Sequence, residues 1–259
     1  MNRIAGMRIL LSFLAALMAG LPNVAAGDQI RVAVASNFAE CLEALAPAFE
    51  DTTGHQVVII RGSTGRHFAQ INSGAPFDVF FSADSLRPTL LEAKGLIVPG
   101  TRFTYAEGRL ALWMPGAGPE DKRPVADILR AAEFDHLAIA NPRLAPYGLA
   151  AKQALENLGL WEDLRSRLVM GQNVGQTWQF VASGNAEVGF VAYPQVLSAP
   201  AMRGRWWKID PPLHDPILQQ AVVIKNAENA AAGAQLLDFL KGFEARATLI
   251  KFGYLIPEN

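Results

Sequence analysis

The chain has 259 residues, of which 51% are hydrophobic and 18% are charged, so it is long enough for one large or two modest globular domains. Its formal net charge of −1 excludes the strongly basic surface that is typical of nucleic-acid-binding proteins. The four histidines are scattered without metal-ligand spacing, and the single cysteine, Cys41, excludes an intramolecular disulfide.

The first 26 residues have the parts of a secretory signal peptide. Arg3 and Arg8 make the start positive, and the apolar run ILLSFLAALMAGL follows them. Small residues then occupy the −3 and −1 positions of the expected cleavage site, Val24 and Ala26. The apolar run is too short to span a bilayer comfortably. We therefore expect residues 1–26 to be a cleaved leader of an exported protein.

The elements predicted after the leader alternate between strand and helix. Residues 29–94 follow a β-α-β-α-β-α pattern with short connections, which is typical of a parallel sheet covered by helices on both faces. A loop rich in glycine and proline at 115–124 precedes a second α/β series. In chain order, the predicted strands cover 29–35, 55–60, 77–81, 102–113, 137–140, 188–192 and 217–224, and the predicted helices cover 38–53, 66–72, 86–94, 125–132, 148–158, 177–183, 230–241 and 243–252.

The strand at 217–224 and the last two helices have no sheet of their own. We expect them to return to the first α/β series, so that the chain forms two lobes. Two segments, near 103–110 and near 219–223, would then cross between the lobes, which is the geometry of a hinge. The predicted boundaries are lobe I at 27–106 and 220–259, and lobe II at 107–219.

Four connections share one feature, because each is followed by a predicted helix and lies where strands of the α/β units end. Ligands of open α/β sheets bind at this edge. Helix starts leave unpaired N–H groups and carry a partial positive charge, and the hydroxyls of Ser36, Ser63 and Thr64 add donors. Such donors suit a fully deprotonated tetrahedral oxyanion, which has acceptors only. The four connections are Ser36-Asn37, Ser63-Thr64-Gly65, Pro146-Tyr147-Gly148 and Asn173-Val174-Gly175.

Two local predictions concern single side chains near these connections. Ser36 or Asn37 is expected to be the N-cap of the first helix, because both residue types favour that position. His67 is expected on an exposed position of the second helix.

Several motifs, taken in order, resemble the periplasmic molybdate-binding protein family of ABC importers. The resemblance runs through nearly all of the chain after the leader, and the run GAPFDVFFSAD is its most specific part. It implies a type II periplasmic-binding-protein fold with two α/β lobes, capture of molybdate or tungstate, and delivery to an inner-membrane ABC permease. It further implies a monomer without enzyme activity or cofactor. The motifs are VAVAS at 32–36, GSTG at 62–65, GAPFDVFFSAD at 74–84, IANP at 139–142, NVG at 173–175 and KFGY at 251–254.

The resemblance also assigns ligand-binding roles by position. The family's first serine falls on Ser36, and its second hydroxyl-bearing ligand falls on Thr64, with Ser63 beside it. The two backbone N–H donors of the second lobe fall on Tyr147 and Val174. The tyrosine that some members add falls on Ala192 here, so Tyr193, one residue further, is a candidate that alternatively packs beside the hinge.

The residues leave other functions open. Helix starts accept sulfate as well as molybdate, whereas monoprotonated phosphate requires an acceptor and none of the four connections has a carboxylate at its core. A periplasmic subunit that senses the anion is a further alternative. An enzyme is disfavoured, because the chain has no G-x-S-x-G elbow and no paired carboxylates near the connections.

Overall fold

The computed structural model describes residues 27–116, 123–198 and 204–257. The predicted leader lies outside these residues. The strands are β1 (Gln29–Ala35), β2 (Gln56–Gly62), β3 (Val79–Ser82), β4 (Phe103–Gly108), β5 (Leu110–Pro115), β6 (Leu137–Ala140), β7 (Leu168–Gly171), β8 (Val188–Ala192), β9 (Gly204–Lys208) and β10 (Ile217–Val223).

The helices connect these strands and pack on them. They are α1 (Ala39–Thr53), α2 (Thr64–Asn72), α3 (Leu86–Ala93), α4 (Val125–Ala131), α5 (Pro146–Asn157), α6 (Trp161–Leu164), α7 (Val174–Ala182), α8 (Tyr193–Ser198), α9 (Ala230–Lys241) and α10 (Phe243–Lys251). Within the described ranges, no helix is both long and apolar enough to cross a bilayer.

Two mixed five-stranded sheets organise the molecule. Sheet I has the order β2-β1-β3-β10-β4, with β1 parallel to β2 and β3 and with β10 antiparallel to both of its neighbours. Sheet II has the order β7-β6-β8-β5-β9, with β6 parallel to β7 and β8 and with β5 antiparallel to both of its neighbours. We call the elements built on sheet I lobe I and those built on sheet II lobe II. The predicted α/β class with two lobes is confirmed.

Alternate residues of each strand enter different hydrophobic clusters, because successive side chains of a strand point to opposite faces. Phe81 packs with α1, α9 and α10 on one face of sheet I, whereas Phe80 packs with Leu91 on the other face. In sheet II, Leu112 and Trp113 separate in the same way. Both faces of each sheet are therefore covered, as parallel strands require.

A buried carboxylate ties three parts of lobe I together. Asp78, which is fully buried, accepts the Arg31 N–H at 2.7 Å and the Asn229 N–H at 3.0 Å. These contacts join the chain before β3 to strand β1 and to the start of α9. The aspartate of the GAPFDVFFSAD run thus has a structural role far from the four connections.

Two crossing segments join the lobes. The single residue Arg109 separates β4 in sheet I from β5 in sheet II, and the chain returns from β9 to β10 through a short 3-10 helix, Pro211–Leu213. The prediction of one strand over 102–113 is therefore wrong, because the chain changes sheets after Gly108. Strand β9 lies in a segment that has no clear sequence pattern and was not predicted.

Candidate functional site

The four predicted connections meet in one cleft between the lobes. The ends of β1 and β2 in lobe I face the starts of α5 and α7 in lobe II. They surround a space of about 180 Å³, part of which is open to solvent. The residues around it are small or neutral, and none of these described residues has a charged side chain. They are Ala35, Ser36, Asn37, Gly62, Ser63, Thr64, Ala83, Ala145, Pro146, Tyr147, Asn173 and Val174.

Each hydroxyl of the cleft accepts a backbone hydrogen bond. Ser36 Oγ accepts the N–H of Gly175 in lobe II at 3.1 Å, and Thr64 Oγ1 accepts the N–H of Ala83 at 3.0 Å. Ser63 Oγ accepts from the backbone of its own helix at 3.3 Å. A hydroxyl has one proton to donate and two lone pairs. These contacts use a lone pair, so each O–H proton remains available to a bound acceptor.

Backbone N–H groups supply the other donors. Thr64 and Val174 are the first residues of α2 and α7, where an N–H has no acceptor within its helix. In α5 the first position is Pro146, which has no N–H, so Tyr147 presents the first donor of that helix. Among the hydrogen bonds of the described residues, none uses the N–H of Thr64, Tyr147 or Val174. Three helix starts therefore direct unpaired donors and partial positive charge into the cleft.

The lobes touch directly around this space. Besides the bond from Gly175 to Ser36, the Gly65 N–H donates to the carbonyl of Leu144 at 2.8 Å. A Cβ on Gly65 would lie 3.0 Å from that carbonyl oxygen, so a larger residue would hold the lobes apart. Arg87 Nη2 adds a bond to the carbonyl of Arg143 at 3.0 Å.

The predicted cap of the first helix is wrong. Helix α1 begins after Phe38, and no side chain caps it. Ser36 instead faces lobe II, as its bond with Gly175 shows. Its hydroxyl is thus not needed by its own helix, unlike that of Ser63, which caps α2.

The prediction that His67 is exposed is also wrong. The imidazole is 1% exposed, with Nε2 3.2 Å from the carbonyl oxygen of Val34 and Nδ1 3.2 Å from Oε1 of Gln70. It fills the space beside Gly62, where a Cβ would lie 2.5 Å from Nε2. Burial lowers the pKa of His67, so the neutral ring is favoured beneath the Ser63-Thr64 connection.

Tyr193 does not line the cleft. Strand β8 ends at Ala192, and Tyr193 begins α8. Its ring packs against Trp206, with centroids 5.3 Å apart, and lies under the ammonium group of Lys208 at 4.9 Å. The structure therefore brings together Ser36, Ser63, Thr64, Tyr147 and Val174, and leaves Tyr193 near the crossing segments.

A buried glutamine that sequence reasoning missed supports the lobe II side of the cleft. Gln195 Oε1 accepts the Ala192 N–H at 2.9 Å, and its Nε2 donates to the carbonyl of Val174 at 3.4 Å. The first bond is half of a capping box, because Gln195 is the third residue of α8 and reaches back to the residue before that helix. A glutamine three positions after a strand end was the available signal.

Comparison with known proteins places the chain in a class. A family model described as bacterial extracellular solute-binding protein matches residues 30–255, and the chain belongs to this family of binding proteins. Molybdate-binding protein ModA of Azotobacter vinelandii is 44% identical over 92% of this chain and 95% of the relative. ModA of Rhodobacter capsulatus is 42% identical over 93% of each chain.

A solved structure agrees with these relatives. The periplasmic molybdate-binding protein of Azotobacter vinelandii superposes with a TM-score of 0.83 at 42% identity, covering 88% of this chain and all of that chain. The resemblance seen in the sequence motifs is confirmed, as is the type II periplasmic-binding-protein fold.

Proposed function

We propose that this protein captures molybdate in the cleft between its lobes and delivers it to an ABC importer. The names of its relatives support molybdate as the ligand. The observation that carries the proposal is the composition of the cleft, where hydroxyls of lobe I and main-chain N–H groups of lobe II surround one small space without a charged side chain.

This composition suits a doubly negative tetrahedral oxyanion. Burial of such an ion without compensation is very costly. Compensation comes from several neutral donors and from the partial positive charge of three helix starts. An anion that carries a proton also needs an acceptor, and none of the residues around the cleft has a carboxylate. Molybdate and tungstate meet these conditions, whereas monoprotonated phosphate does not.

The ligand set that we propose follows from the positions of these donors. Ser36 and Thr64 donate from their hydroxyls, with Ser63 beside them, and Tyr147 and Val174 donate from their backbone N–H groups. The anion first binds one lobe, and rotation about the two crossing segments then brings the donors of the other lobe onto it. The sequence-based boundaries, 27–106 with 220–259 and 107–219, fall inside β4 and β10, which both pair in sheet I. We therefore propose 27–108 with 217–259 as lobe I and 109–216 as lobe II.

The finer points of the proposal concern location and partners. Residues 1–26 act as a cleaved leader that directs the protein to the periplasm. The mature protein is a monomer that docks, with its lobes closed, on an inner-membrane permease. Cross-linking in membranes distinguishes this role from sensing, because a transport protein is captured with a permease and a sensing subunit with a signalling kinase.

Calorimetry of the leaderless protein tests the ligand. Molybdate and tungstate should each release heat with one site per chain, whereas phosphate should give no binding at the same concentrations. Sulfate has the same charge and shape but is smaller, so it should bind more weakly. The absence of heat with all four anions would overturn the proposal. If sulfate bound more tightly than molybdate, sulfate would be the ligand instead.

A further inference from the structure

Two buried polar atoms without partners lie together at the crossing segments. The Tyr147 hydroxyl and the Gln219 side-chain nitrogen are among the few buried polar side-chain atoms of the described residues that make no hydrogen bond. Both flank the same backbone position, since a Cβ on Gly108 would overlap the hydroxyl and would lie 2.7 Å from the nitrogen. The two atoms therefore face one small region where β4 leaves sheet I.

Gln219 is held firmly at its other end. It is fully buried in β10, next to a β-bulge. Its Oε1 accepts from Asn37 Nδ2 at 2.7 Å and from the Tyr105 hydroxyl at 3.1 Å. These two donors orient the amide, because the oxygen must face them and the nitrogen then faces Tyr147.

Each end of this arrangement leads to the cleft. Asn37 follows Ser36 and lines the cleft in lobe I, where its carbonyl accepts the Tyr254 hydroxyl at 2.7 Å. Tyr147 lines the cleft in lobe II with its main chain, while its ring is only 2% exposed. Gln219 thus stands between the two sides of the binding site, although it does not line the site itself.

The chemistry of the two groups is complementary. Burial raises the pKa of Tyr147, so the hydroxyl stays neutral and keeps free lone pairs. The Gln219 amide is near enough to oppose that shift in part, although the two groups are not in hydrogen-bond geometry. Unpaired polar groups in a protein interior are unfavourable, and a small movement that joins these two removes both penalties.

We propose that Gln219 is a positioning residue that couples the lobes when ligand binds. Its Nε2–H donates to the Tyr147 hydroxyl as closure is completed. This bond fixes the position of the Ser36-Asn37 connection of lobe I relative to the start of α5 in lobe II. The bond stabilises the closed form and so slows release of the anion. This inference rests on the proposed function, because it assigns a regulator of that same cleft.

Stopped-flow kinetics of the Tyr147→Phe variant, followed by tryptophan fluorescence, tests the inference. The backbone donor stays, and only the hydroxyl is lost. Molybdate should dissociate about 3 to 10 times faster, as expected for the loss of one neutral hydrogen bond, with an unchanged association rate. The control is Tyr193→Phe, which removes the hydroxyl of another tyrosine near the crossing segments that does not face Gln219, and its dissociation rate should equal that of the parent.

A double-mutant cycle separates coupling from a merely structural effect. Gln219→Met should raise the dissociation rate, and Tyr147→Phe in that background should raise it no further. If Gln219→Met fails to fold, Gln219→Asn replaces it in the cycle, because the shorter amide withdraws the Nε2 donor from Tyr147 without placing a charge beside it. Additive effects of the two substitutions, or parental dissociation of Tyr147→Phe, would overturn the inference.

A ligand-free measurement keeps the two proposals distinguishable. Nitroxide labels at Glu43 and Gln179, exposed residues on opposite lobes near the mouth of the cleft, report the distance between the lobes. Only the closed form holds the bond, so Tyr147→Phe should lower the share of that form in the ligand-free ensemble and shift the distances toward longer values. If the parent gives no heat with molybdate, the proposed function fails, and this shift still decides whether Gln219 and Tyr147 couple the lobes.

Discussion

The two sides of the cleft offer the same kind of donor by different means. Lobe I presents side-chain hydroxyls, each held by a backbone N–H that donates to it. Lobe II presents main-chain N–H groups at the starts of α5 and α7, next to small or apolar side chains such as Ala145 and Pro146. The lobe I donors can be removed by ordinary substitution, whereas the lobe II donors depend on backbone geometry and are insensitive to most side-chain changes.

The largest effect is expected for Ser36→Ala. The variant loses a donor to the anion and also the acceptor for the Gly175 N–H, so it weakens both binding and contact between the lobes. A lost hydrogen bond to a charged group costs about 1.5–3 kcal/mol, so affinity for molybdate should fall about 100-fold by calorimetry. Ser73→Ala, at the end of α2, is the control. Parental affinity of Ser36→Ala would remove Ser36 from the ligand set.

Val174→Pro tests the opposite side of the cleft. Proline removes the N–H, and it is tolerated at the first position of a helix. The preceding residue, Asn173, is already extended, as proline requires. Affinity should fall about 10- to 100-fold with little change in melting temperature.

The matched control for this substitution is Val174→Ala, which keeps the N–H and should bind within a few-fold of the parent. Equal losses in the two variants would mean that the valine side chain matters rather than the backbone donor. The comparison between the lobes would then fail.

A smaller effect is expected for Arg66→Gln. Arg66 is exposed at the mouth of the cleft beside Ser36 and Asn173, and none of the described residues forms an ion pair with it. It should attract the anion without touching it, so its loss should slow association about 2- to 5-fold at low salt. Dissociation should be unchanged, and the difference should vanish at high salt. Arg165→Gln, on an exposed position of lobe II, is the control.

The smallest effect on binding at neutral pH is expected for substitution of His67, because its hydrogen-bond partners, Val34 and Gln70, both belong to lobe I. Because burial lowers its pKa in the folded state, the neutral ring contributes stability above the unfolded pKa of about 6.5. That contribution is lost as the pH falls toward the folded value. Urea unfolding of the parent should therefore show falling stability between about pH 7 and pH 5. His67→Gln should flatten this dependence, whereas His136→Gln, at an exposed position, should not.

Much of the cleft could be predicted because its chemistry is local in sequence. A helix start that follows a strand is visible in the residues themselves, so the sequence alone identifies all four connections. The resemblance to a known family then selected individual donors within them. Those donors line one cleft. A single motif as common as GSTG does not predict that they lie close together.

The errors occurred where distant parts of the chain decide the outcome. His67 is buried because Gly62, at the end of the preceding strand, leaves room for its ring. The sequence pattern continues the strand toward Tyr193, yet the chain becomes helical after Ala192. Gln219 meets Asn37 across 182 positions of the chain, and no local pattern announces such a contact.

The passage from β4 to β5 through Arg109 limits how the protein can move. One residue offers two free dihedral angles and spans about 3.5 Å, so the halves of the molecule have almost no slack at that point. Translation of one half away from the other is therefore limited at this crossing by covalent geometry, and relative movement of the lobes should be mainly a bend whose φ and ψ changes fall on very few residues.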